Sequence, residues 1–106
     1  TTYIMKAKAK VSQLINAKGN PANNQFVIEG QTKEGNKTTT FQSYETTIAM
    51  EINDNSNFGV VETVIDTDAL NYSKTTSKHL FIFLGLDRRE IETRVKKGLI
   101  LVRDLN

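Results

Sequence analysis

The stretch Asn71 to Leu86, NYSKTTSKHLFIFLGL, has fewer ways to fold than any other part of this chain. It joins a hydroxyl cluster (Ser73, Thr75, Thr76, Ser77), the only histidine (His79), the densest apolar run (Leu80 to Leu84) and a glycine stop (Gly85). A helix start leaves amide donors without partners, and a serine or threonine side chain satisfies one of them. Ser73 is the first candidate cap, with Thr75 and Thr76 as later alternatives. Thr76, Leu80, Phe83 and Leu84 then share one face at spacings of three and four. Phe81 and Ile82 widen the apolar stripe, so most of this helix is expected to be buried. Gly85 suits the left-handed residue that closes a helix.

A second helix is expected at once. Asp87 and Glu90 form a D-x-x-E variant of the capping box, and Leu86 and Ile91 are spaced for a hydrophobic staple. Ile91 and Val95 make its narrow apolar stripe. Glu90 with Arg94, and Glu92 with Lys96, are charge pairs in the favourable i,i+4 order. Lys96 and Lys97 complement the negative end of the helix dipole, and Gly98 ends the helix.

The rest of the chain reads as strands and turns. Thr1 to Ile15 is ambiguous. Lys6, Lys8 and Lys10 alternate with alanines, which suggests a strand over about residues 3–9, followed by a short helix or second strand. Asn16 to Asn24 is expected to be a loop. Gln25 to Glu29 reads as a strand, Glu34-Gly35-Asn36 as a hairpin turn, and Thr38 to Tyr44 as the returning strand. A bulge or tight bend near Tyr44 to Thr46 separates it from Glu45 to Asn53, where Ile48, Met50 and Ile52 are expected to face one way. Asp54 to Asn57 is a turn, and Gly59 to Ile65 is another strand. Leu99 to Val102 is either a final edge strand or a tail packed on the core. The fold class is therefore α+β: an antiparallel sheet of three to five strands covered by two C-terminal helices. The expected core is Phe26, Ile28, Ile48, Ile52, Val64, Leu80, Phe83, Leu84 and Ile91.

At 106 residues this is a single domain, 1–106. The chain has no cysteine, which removes disulfides, thiol nucleophiles and cysteine metal sites. No run approaches the ~18 apolar residues of a membrane span, so no membrane partner is expected. The sequence TTYIMKAKAK lacks a signal-peptide apolar region, and the expected location is cytoplasmic. The net charge of +2 conceals a division along the chain, with +4 over residues 1–20, −6 over 21–70 and +4 over 71–106. That division matters only if folding preserves it in space.

Catalytic chemistry has little to rest on. His79 lies at the start of an apolar helix, where a packing or capping histidine is the plainer reading than a general base. No nucleophile-elbow, zinc-protease or phosphate-loop motif occurs. Asp66 and Asp68 form D-T-D, which does not match a calcium loop and reads as helix-entry acids. No catalytic, cofactor-binding or metal residues are expected. The candidate nucleic-acid contacts are Lys6, Lys8, Lys10, Tyr44, Lys74, Lys78, Arg88 and Arg89, since bases around aromatics are what a single-strand binder uses. Phe41 and Tyr72 are further possible stacking platforms.

Four stretches, taken together, resemble a family of small uncharacterised proteins encoded by phages, prophages and other mobile elements of Firmicutes and Bacteroidetes. They are NQFVI (Asn24 to Ile28), FQSYETTIA (Phe41 to Ala49), YSKTTSKHLFIFLG (Tyr72 to Gly85) and DLN (Asp104 to Asn106). Leu70 departs from the pattern, which has an aromatic residue there. The resemblance implies a compact α+β domain of phage or prophage origin acting in the host cytoplasm. It implies no activity, because the family is one of unknown function.

The expected function is that of a non-enzymatic phage-type accessory protein, most readily a module that binds a host or phage protein. The alternative is a single-stranded or non-specific nucleic-acid binder. A protein partner suits the acidic middle of the chain and any exposed sheet edge, and such an edge also allows a homodimer.

Overall fold

The computed structural model describes residues 9–53 and 60–106. Six strands and two helices follow in the order β1 (Lys10–Ile15), β2 (Pro21–Gln31), β3 (Lys37–Ser43), β4 (Thr46–Asn53), β5 (Val60–Asp66), α1 (Lys74–Leu84), α2 (Arg88–Lys96) and β6 (Leu101–Arg103). The strands form one sheet in sequence order. The first five are antiparallel neighbours. β6 runs parallel to β5, with Val64 opposite Leu101 and Ile65 opposite Val102. A parallel neighbour needs a crossover, and the helix pair supplies it. The fold is thus α+β, with one strand more than the expected three to five. The apolar run after Gly98 becomes the edge strand.

The helix signals act as they read. Ser73 is the cap, its Oγ accepting the Thr76 amide at 3.0 Å. Gly85 closes α1 at φ 69°, its amide donating to the Phe81 carbonyl. Asp87 and Glu90 make both halves of the capping box, at 2.8 and 3.0 Å. Leu80 and Ile91 are fully buried. The Phe83 ring stacks on Phe41 of β3 with centroids 5.7 Å apart, fixing α1 to the middle of the sheet.

One boundary differs from the sequence reading, and one expectation lies outside the described residues. The strand expected over about residues 3–9 falls, except for Ala9, outside the described residues. The loop after β1 is shorter than Asn16–Asn24 and ends at Asn20, because Pro21 already pairs with Ile15. The Asn16 side chain closes this loop by accepting the Lys18 and Asn20 amides. Between β3 and β4, Tyr44 takes a left-handed φ of 54° at the first central position of a two-residue turn. Primed hairpin turns demand that conformation, and for an aromatic residue it is strained.

The core differs more. Phe41, Ala49 and Ile65 lie opposite one another on β3, β4 and β5, and they meet Leu80 and Ile91 in one cluster with Leu14, Ile48, Ala69 and Ile100. The register shifts after Phe41 so that Ile48 is an extra residue on β4. Ile48 and Ala49 are both buried beneath the helices, 1% and 0% exposed. This bulge breaks the expected alternation: Met50 and Ile52 are turned to the opposite face. Phe26 and Ile28, expected in the core, are half-buried on that opposite face too. Their neighbours Gln25 and Val27 hold the helix side. A period of two shows that one face is apolar, but not which face a helix will cover. Gln25 is 1% exposed, and neither atom of its amide has a hydrogen-bond partner among the described residues.

Candidate functional site

Five residues are tied together at Asp66, bringing Leu105 and Asn106 back to the Asp66–Tyr72 segment. Its buried carboxylate accepts the Tyr72 hydroxyl at 2.6 Å, the Leu105 amide at 2.9 Å, the Asn106 side-chain amide at 3.1 Å and the Asp68 amide at 3.2 Å. Burial pushes the Asp66 carboxyl up, but the bonds from Tyr72, Leu105, Asp68 and Asn106 outweigh it and leave the group below its ordinary range. The same bond holds the Tyr72 hydroxyl protonated, pushed up to about 12 by Asp66, by burial and by the nearby charges of Asp68 and Asp104. Asn106 also caps the start of β4. Its side-chain amide pairs with the Thr47 amide and carbonyl, at 2.8 and 2.9 Å. Within D-T-D, the Asp66 carboxylate is therefore a structural tie. Among the described residues no three His, Cys, Asp or Glu side chains are grouped to hold a metal ion.

This tie sets the position of Tyr72 and so of Ser73. The hydroxyls inside the fold form a chain. Ser73 donates to Thr76 at 3.1 Å, and Thr76 shares a 3.1 Å bond with Ser43 of β3. Ser77, the last member of the hydroxyl cluster, is buried. His79 is buried as well. Its Nδ1–H donates to the Thr75 carbonyl, one helical turn back, at 2.7 Å. That is the satisfied helix histidine favoured by its apolar setting.

Beside the tie runs an open groove of about 450 Å³ between the Leu70–Ser73 segment, α1 and the start of α2. Lys74, Ser77, Lys78 and Phe81 present one helical face to it, at spacings i, i+3, i+4 and i+7. Leu70 and Tyr72 form the opposite wall. Arg88 closes the end, its Nη2 donating to the Leu70 carbonyl at 2.9 Å. The groove therefore has an apolar floor, three cations and no carboxylate among its lining residues.

Three of the eight candidate contact residues, Lys74, Lys78 and Arg88, meet here. The others do not join them. Arg89 faces a separate depression with Glu90, Arg94 and Lys97. Tyr44 sits beside Asn24, Phe26 and Glu45 at the β3–β4 turn. Lys10 pairs with Glu29 and lies near Lys37. Lys6 and Lys8 are outside the described residues. The acidic middle disperses too. Glu34 and Glu45 occupy opposite turns, and cross-strand pairing puts Glu51 and Glu62 on opposite faces of the sheet. Burial raises the Glu51 carboxyl. The sequence reading missed Leu70, Phe81 and Ser77 as groove residues. The signal was available in the i, i+3, i+4, i+7 series from Lys74 to Phe81.

The fold and groove define a small α+β domain whose meandering sheet carries a helix pair on one face. A profile described as "Family of unknown function (DUF8033)" matches residues 9–98, and the chain belongs to that family. No curated protein and no solved structure matches the chain.

Proposed function

We propose that this is a non-enzymatic accessory protein that works by binding another protein, and that the groove bounded by Lys74, Lys78 and Arg88 takes an acidic segment bearing an apolar anchor. The carrying observation is the composition of the groove: Leu70, Tyr72 and Phe81 line it together with three cations and no carboxylate. Apolar burial supplies affinity, and the cations select and orient an acidic partner. The four family-like stretches support a phage or mobile-element origin. A cytoplasmic site in the host accords with the lack of cysteine and with the absence, among the described residues, of any helix long and apolar enough to cross a membrane.

Single-stranded nucleic acid is the second reading. It is favoured by the same three cations lying beside the Tyr72 ring, which is 40% exposed. The apolar lining of Leu70 and Phe81 suits a side-chain anchor better than a phosphate backbone, so protein comes first.

Anisotropy titrations separate the two. An acidic peptide carrying leucine and phenylalanine is expected to bind and to be weakened by Lys78→Glu and by Phe81→Ser. A single-stranded oligonucleotide is expected to bind negligibly at physiological salt. Oligonucleotide binding that falls by about 0.7 log units per log of salt for each phosphate contact, with Lys78→Ala and Arg88→Ala lowering the slope, puts nucleic acid in its place. If neither probe binds, the groove is not the interface.

A further inference from the structure

We propose that the sheet face turned away from the helices is an interface with a second copy of this chain. Cross-strand partners in a sheet share a face. The register therefore places Val11, Ile28, Thr40, Met50, Val64 and Leu101 in one row across all six strands. Phe26 and Ile52 flank that row, two residues along β2 and β4. None of these side chains belongs to the core cluster or packs against it from the helix side.

The strands themselves call for cover on both faces. An antiparallel sheet with one face in water alternates apolar with polar residues, whereas a sheet covered on both faces reads as continuous apolar runs. Phe26-Val27-Ile28 is such a run. Val64 is already buried within the chain, at 5% exposed, but Val11 is 63% exposed, and Phe26, Ile28, Met50, Ile52 and Leu101 are only half-buried.

Charge and area select the occupant. The central row holds no ionisable residue. The adjoining rows are Gly30-Thr38-Ile52-Glu62 and Gln13-Phe26-Gln42-Thr47, with Asp66 and Arg103 two residues beyond Val64 and Leu101. Their ionisable residues Glu62, Asp66 and Arg103 all lie at the β5–β6 edge, and the Asp66 carboxylate is buried in its own tie. Such a face carries little net charge for an acidic or basic partner, and laid on its own copy it brings no like charges together at the centre. Six strands spaced ~4.8 Å apart span about 24 Å, and three rows cover about 20 Å along the strands. That footprint of roughly 500 Å², glutamine and threonine rim included, is more than half of the ~800 Å² per partner in a standard interface. Two such faces stack ~10 Å apart, as in a β-sandwich. This surface is separate from the groove, so the proposal stands or falls independently of the binding reading above.

Sedimentation of the full chain should give about twice the 11.9 kDa monomer mass. Met50→Lys should halve the mass while leaving the helical circular dichroism intact. A second measurement does not depend on that variant folding. The chain has no cysteine, so Thr40→Cys carries a single nitroxide label. Its interspin distance should be about 20 Å, the ~10 Å sheet spacing plus the label arms. A label at Thr93→Cys on exposed α2 should lie far beyond that distance. A wild-type chain that stays monomeric at the highest monodisperse concentration overturns the proposal, whether another part of the chain or a foreign protein then covers the face. A dimer whose close pair is the Thr93 labels overturns it as well.

Discussion

Replacing Asp66 by asparagine exchanges one carboxylate oxygen for an NH2 group inside the Tyr72–Asp66–Asn106 tie. Four donors converge on that carboxylate. The amide keeps one oxygen, so two of the four donors come to face another donor. A hydrogen bond to a charged group contributes about 1.5–3 kcal/mol, and a buried donor left without a partner costs about 1–3 kcal/mol. Relaxation of the exposed Tyr72 ring and of Asn106 recovers part of this. The expected net loss in urea denaturation at pH 7 is about 2–4 kcal/mol, and the melting temperature should drop by about 10 °C or more. The loss should also have a pH signature. The folded Asp66 carboxyl lies below its unfolded value of 3.8. Its contribution is therefore present above that value and fades as pH falls through the folded one. The wild type should lose this stability below about pH 4, and Asp66→Asn should not. Tyr72 acts in the opposite direction. Its folded value of about 12 exceeds the ordinary 10.0, so its contribution is complete below 10.0 and fades between 10.0 and about 12. Tyr72→Phe should flatten that alkaline limb. A loss under about 0.5 kcal/mol for Asp66→Asn, or an unchanged acid limb, would refute the assignment of the tie.

Leu80→Ala removes a fully buried side chain from the centre of the helix–sheet contact and should cost about 2–5 kcal/mol in denaturant melts; a loss below half of the lower figure would mean that α1 is peripheral. Gln25→Met keeps the side-chain length while removing an unpartnered buried amide, so it should stabilise by about 1 kcal/mol or more. Destabilisation of that size would show that the amide is bonded in solution.

The helix pair was legible in the sequence because its determinants are local. Ser73 caps an amide three residues away, Asp87 and Glu90 cap each other, and Gly85 and Gly98 supply left-handed stops at φ 69° and 75°. The hairpins were legible for the same reason, since turn chemistry needs only a few neighbouring residues. Half of the groove also lay in the open, as a helical series from Lys74 to Phe81. Three things depended on residues distant in sequence. The bulge at Ile48 and the choice of Gln25 over Phe26 for the helix side follow from register across three strands, which no single strand's pattern determines. The closing of the groove by Arg88 needs the Leu70 carbonyl, 18 residues earlier. The Asp66 tie spans about 40 residues to Asn106. Local propensity records the conformation that each short segment prefers. The covered face of the sheet, the partners of a buried carboxylate and the cations that share a groove were decided only when the crossover brought β6 and the helices back onto the sheet.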